Sequence, residues 1–225
     1  MSEDKERLDF DIACLNPETL HATLVSSVGS HCDVWRTNKR FREADPNRTY
    51  HEFVIKYPNS RYSWPEIRIL KRDYVRLKTA LEEIIPSAEF FITQMGGQEN
   101  VCVIADAVDI WFNIANPQNR EEAIELLSAS VRGRDQLRRF IEASRQWYRE
   151  ANSRLIDLYG LDNLVMDKNY EIRYIDSFFV FFYEDMLDIV DENSADMADS
   201  RLRNQIDTSL QRLTYLEEIL QISVQ

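Results

Sequence analysis

The chain has 225 residues, enough for one large domain or two small lobes and too few for several independent domains. Its 27 basic and 39 acidic residues leave a net charge of −12, a field that repels nucleic acid and anionic membrane, so neither is expected as a partner. Only 5 Gly and 6 Pro, with no low-complexity tract, argue against a fibrous or disordered chain.

No apolar run is long enough to span a bilayer, and the charged start MSEDKERLDFD lacks the apolar core of a signal peptide. Cys14, Cys32 and Cys102 show no metal-ligand spacing, and the expected setting is reducing and cytoplasmic.

Residues 1–23 read as an N-terminal extension, a polar tail leading into a short helix that starts at Asn16-Pro17-Glu18. From Leu24 the segment LVSSVGSHCDVW, a polar turn region and HEFVIKYP predict two strands joined by a long polar connection, the second closed by Pro58. Trp64 to Ile85 carries a helical period: Ile67, Leu70, Tyr74, Leu77, Leu81 and Ile84 recur every three or four positions, Pro65 suits the first turn and Pro86 stops the helix. AEFFIT and NVCVIADAV predict two further strands around Gly96 and Gly97. A sheet with one helix packed on it, residues 24–108, accounts for this order.

Residues 109–225 read as mainly helical. REEAIELLSASV and RDQLRRFIEASRQWYREANSRLIDLYG have charged faces and apolar stripes. LVMDKNYEIRYID interrupts them as a β-hairpin turning at Asp167-Lys168-Asn169. SFFVFFYEDMLDIVDENS and ADSRLRNQIDTSLQRLTYLEEILQ return to helix. The fold class expected is α+β.

Four features could carry chemistry. Gly29 lies in a small-residue turn between Val25 and Val34, able to expose backbone N–H groups to phosphate. Lys56 ends an apolar strand, sharing a face with Val54, where it needs an anionic partner or an exposed position; taken alone, exposure is expected. Asp157, Asp162 and Asn163 precede one hairpin strand and Asp176 follows the other, so the hairpin brings Asn163 and Asp176 together. A carboxylate beside an amide oxygen suits a hard cation such as Mg²⁺ completed by phosphate oxygens.

The order of glycine turn, lysine strand, helix, two strands, helices, Asp…Asn, hairpin and Asp resembles the protein-kinase-like fold, and at residue level the hairpin segment is the most similar part. Phe53-Val54-Ile55-Lys56 is similar to the family's V-A-I-K strand. Asp157 to Asn163 and Asp176-Ser177-Phe178 are similar to its H-R-D-x-x-x-x-N and D-F-G motifs.

The resemblance implies two lobes: a small antiparallel sheet with one helix, then a mainly helical part. It implies ATP and Mg²⁺ as cofactors and transfer of the γ-phosphoryl group to a hydroxyl acceptor. Lys56 would hold the α- and β-phosphates, with Asp73 or Glu66 as its helix partner and Asp73 preferred. Asn163 and Asp176 would bind magnesium, and Asp157 would be general base. Gly29 and Val34 would lie against the nucleotide, and Ile104 to Val108, with Asp106, would be the hinge.

The sequence also departs from the family. Ser27 and Cys32 stand where glycines are usual, and Leu155 and Ile156 replace the histidine and arginine. Asn163 follows Asp157 by six positions, one more than in the family, a difference that a bulge at Gly160 with positive φ would absorb. No A-P-E motif follows, which makes the chain look more like the compact bacterial kinase-like proteins. It also keeps open a pseudokinase, or a regulatory protein that presents a surface to a partner.

Trp111, Phe112, Trp147, Tyr148 and the SFFVFFY run are expected in the core, and the basic cluster Arg132 to Arg139 on a solvated helix face. His21, His31 and His51 show no ligand spacing.

Overall fold

The computed structural model describes residues 22–26, 32–37, 52–95, 98–150, 154–176, 178–183 and 196–225. The fold is α+β, with antiparallel strand pairings and four α-helices among the described residues. The chain divides into two compact units, one from Met1–Ser63 with Ala88–Ala107, the other from Trp64–Ser87 with Val108–Gln225.

Among the described residues, the first unit holds a five-stranded sheet of β1 (Ala22–Ser26), β2 (Cys32–Thr37), β3 (Phe53–Pro58), β4 (Ala88–Met95) and β5 (Gln98–Asp106), in the order β1-β2-β3-β5-β4. Three strands precede the helix where two were expected, because Ala22–Ser26 and Cys32–Thr37 pair with each other. β3 and β5 are central and rich in Val, Ile and Phe, as strands paired on both edges tend to be. Buried Asn100 ties the chain after β3 to β5: its Oδ1 accepts from Tyr62 N at 3.2 Å and Val101 N at 2.9 Å, and its Nδ2 donates to Ser60 O at 3.2 Å.

The second unit contains α1 (Trp64–Leu81), α2 (Arg120–Ala129), α3 (Val131–Arg149) and α4 (Asp196–Ser223). All six residues of the expected apolar stripe of α1, Ile67 through Ile84, are buried. A 3-10 turn, Glu82–Ile84, ends α1, and Lys78 Nζ donates to Ile85 O at 2.6 Å. This helix, expected on the sheet, is grouped with the other three. Arg145 forms a two-pronged ion pair with Glu217, both contacts 2.6 Å, and so ties α3 to α4. Ser130 caps α3 by accepting from Gly133 N at 3.0 Å.

Short strands complete the second unit. β6 (Ile110–Phe112), β8 (Leu164–Asp167) and β9 (Ile172–Tyr174) form one ribbon, and β7 (Arg154–Ile156) pairs with β10 (Phe181–Tyr183) in another. The β8–β9 hairpin turns where expected: Asp167 Oδ1 accepts from Asn169 N at 2.8 Å and from Glu171 N at 3.1 Å.

Two stretches expected as helix are strands instead. α3 stops at Arg149 and Arg154–Ile156 is β7, while Phe181–Tyr183 is β10. Leu155 and Phe182, opposite one another in that ribbon, pack with Ile206, Leu202 and Leu210 of α4. This burial favours the extended backbone over a helix that three residues could not sustain alone. Phe112, Trp147, Phe178, Phe181 and Phe182 are buried, as expected of core aromatics. Trp111 is 47% exposed and meets Tyr170 edge-on at 4.9 Å. The basic cluster on α3 is engaged within the chain: Arg132 pairs with Glu171, Arg138 with Asp135, and Arg139 with Glu82 and Glu83. Arg134 donates to the Leu127 and Ser128 carbonyls at the end of α2.

Candidate functional site

The loop between β7 and β8 brings together the polar residues singled out in the second unit. Register pairs Leu164 with Tyr174, and Ile175 N donates to Asn163 O at 2.9 Å, so the residues just outside the hairpin, Asn163 and Asp176, flank the same end. Asn163 Nδ2 donates back to Asp157 O at 3.2 Å, and Tyr174 Oη donates to the same carbonyl at 3.0 Å. Asp157 Oδ1 accepts from Tyr159 N at 2.7 Å, and Asp176 Oδ1 accepts from Phe178 N at 2.9 Å.

Gly160 serves this loop by what it lacks. A Cβ there would stand 2.4 Å from Asn163 Oδ1 and 2.9 Å from its Cγ, closer than real contacts allow. Its backbone lies outside the left-handed region, so close approach replaces the positive-φ bulge expected from spacing.

The electrostatics follow from burial. Asp157 is 5% exposed. Loss of water, and next the Asp176 charge, push its carboxyl up to about 7, against the opposing pull of the Tyr159 N–H, Arg212 and Asn163. The Tyr174 hydroxyl, fully buried, is driven well above its ordinary value by burial and then by the Asp176 and Asp157 charges. The Asp176 charge therefore acts on Asp157, whose backbone carbonyl the Asn163 amide holds.

Two residues of α4 that sequence reasoning passed over support this loop. Leu158 N donates to Ser209 Oγ at 3.1 Å, and Arg212 Nη1 donates to the carbonyls of Leu158 and Tyr159. Ser209 is fully buried. A serine on the buried side of α4, between Ile206 and Leu213, was the available signal: a polar group there needs a partner.

In the first unit, Lys56 is 6% exposed rather than on an open face, and its cross-strand neighbours are Val34 and Val103. Val34 and Lys56 lie directly opposite, so the two residues share one face of the sheet. Asp106 ends β5 opposite Phe53 and is exposed. Ile104 and Ala105 are paired on both edges, so their backbone belongs to the sheet, and Ala107 N donates to Glu52 O at 2.9 Å. Gly29 lies outside the described residues.

Asp73, buried in α1, accepts from Tyr183 Oη at 2.6 Å and from Arg72 at 3.0 Å, all within the second unit.

Two carboxylates and an amide offer only oxygen-rich, hard donors. Among the described residues, no group of three or more His, Cys, Asp or Glu is placed to hold a metal ion, so any cation here depends on Asn163 and on oxygens from a ligand. No helix among the described residues is long and apolar enough to cross a membrane. No protein-family model matches the chain, and no curated protein matches it either.

Proposed function

We propose that the protein is kinase-like: two lobes that bind ATP with magnesium and transfer its γ-phosphoryl group to a hydroxyl acceptor. The observation that carries this reading is the convergence of Asp157, Asn163 and Asp176 on one loop and hairpin, where burial and then the Asp176 charge raise the Asp157 carboxyl. The strand order β1-β2-β3-β5-β4, with α1 between β3 and β4, supports the same reading.

The donor set fits magnesium, and Asn163 and Asp176 are the residues that would hold it. When bound, the cation supplies charge neutralisation at the phosphate oxygens. The chain's own residues do the rest. Asp157, with its carboxyl raised to about 7, can accept a hydroxyl proton at neutral pH. Asn163 Nδ2 and Tyr174 Oη fix the Asp157 backbone. In this reading Lys56 contacts the α- and β-phosphates, and Val34 lies against the adenine.

A second reading, nucleotide binding without turnover, is favoured by one observation. The Asp157 carboxylate is buried and already accepts from Tyr159 N, which restrains the proposed base. Magnesium-dependent thermal stabilisation by ATP tests both readings, since a ligand that binds only the native state raises its stability. The shift is expected in wild type and reduced in Asp176→Ala and Lys56→Met; an unchanged shift in both variants refutes the site. Autophosphorylation or ATP hydrolysis lost in Asp157→Asn separates catalysis from binding alone.

A further inference from the structure

A second polar cluster in the same unit is built around Asp73, the residue that the kinase resemblance would pair with Lys56. Tyr183 and Arg154 are directly opposite in the β7–β10 ribbon, so their side chains leave the same face. Tyr183 Oη donates to Asp73 Oδ2 at 2.6 Å and accepts from Arg72 Nη2 at 3.3 Å. Arg72 also binds Asp73 Oδ1 at 3.0 Å, and Arg76 Nη1 lies 3.8 Å from that oxygen. Arg72 and Arg76 are four positions apart and share a helix face.

Two guanidinium groups thus flank one buried carboxylate, and Arg154 is near enough to feel the charges of Asp73, Arg72 and Arg76. Arg154 pairs with Glu150, whose carboxylate is 39% exposed. The Arg154 side chain is only 9% exposed, and its buried Nε has no hydrogen-bond partner among the described residues. A buried charged donor left unpaired costs more than a neutral one, and an arrangement that keeps it needs an acceptor. Burial and then the Arg76 charge disfavour the Arg154 cation, which marks local positive charge in excess. Asp73 and Glu150 leave one of the three positive charges unbalanced among the described residues.

We propose that Arg72, Arg76 and Arg154 form a binding site for a tetrahedral oxyanion of the phosphate class. Guanidinium forks match phosphate oxygens in pairs, and a dianion offers more acceptors than a carboxylate. Such an anion satisfies the Arg154 Nε and balances the excess charge. It also repels Asp73, so it competes with the Asp73–Tyr183 hydrogen bond.

The test is the thermal stability of the full chain, titrated with inorganic phosphate against chloride at equal ionic strength. Wild type is expected to show a saturable rise. Arg76→Gln, at a position 38% exposed in its side chain and tolerant of change, is expected to need at least about tenfold more phosphate for half the effect. Arg154→Lys is expected to do the same, and Asp73→Asn to need several-fold less. Asp176→Ala keeps the response, which separates this site from the nucleotide reading.

Intact mass before and after phosphatase treatment distinguishes the source of the anion. A free oxyanion gives the response directly, whereas a phosphoryl group carried by the chain gives it only after removal; either supports the site. An equal response to phosphate and chloride, or a phosphate response unchanged in Arg76→Gln and Arg154→Lys, overturns it.

Discussion

Replacing Asp157 by asparagine separates burial from charge at the centre of the candidate site. The carboxyl is raised from 3.8 to about 7, first by burial and then by Asp176. A folded-state pKa above the unfolded value means that the native state favours the protonated acid. Wild-type stability from this group is therefore complete below about pH 4 and falls as pH rises towards 7, then levels. At about 1.4 kcal/mol per pKa unit, the full loss is on the order of 4 kcal/mol.

Asparagine cannot ionise, and its Oδ1 still accepts from Tyr159 N. The stability difference between Asp157→Asn and wild type should thus grow in favour of the variant from acid to mildly alkaline pH. Urea unfolding across that range, in chelator to exclude bound cations and with equal m-values, measures it. A difference that is flat with pH refutes the reasoning. So does a variant that becomes progressively weaker at high pH, which would mean that Arg212 and the loop N–H stabilise an ionised Asp157 more than burial opposes it.

Gly160→Ala places a methyl against the Asn163 amide, so the Asn163–Asp157 hydrogen bond should break at a cost of about 1 kcal/mol; chemical denaturation with full recovery of stability would show that the loop has room. Ser209→Ala leaves the Leu158 N–H buried without its acceptor and should cost about 1–3 kcal/mol, read as faster amide exchange at Leu158 and lower global stability. Cys102 is buried, and desolvation pushes its thiol up to about 11. Alkylation at pH 8 should spare it until the protein unfolds, and rapid native-state labelling would contradict that burial.

The sequence determined what local pattern can encode. The apolar period of α1 named its buried stripe, and the β8–β9 hairpin followed from its turn residues and strand formers. Because a hairpin brings the start of one strand beside the end of the next, Asn163 and Asp176 were also legible as neighbours.

The tertiary structure decided everything that depends on what covers a residue. Lys56 reads as an exposed strand end, yet it is buried between valines on adjacent strands. Three-residue strands such as β7 and β10 are too short to show a period, and only the packing of Leu155 and Phe182 on α4 fixes them as extended. The contacts that hold the Asp157 loop come from Ser209, 51 positions from the Leu158 it binds, and Arg212. Asp73 finds Tyr183 across 110 positions. Periodicity records which face of an element is apolar, but a hydrogen bond between distant segments leaves no pattern in either one, so these partners appear only once the chain has folded.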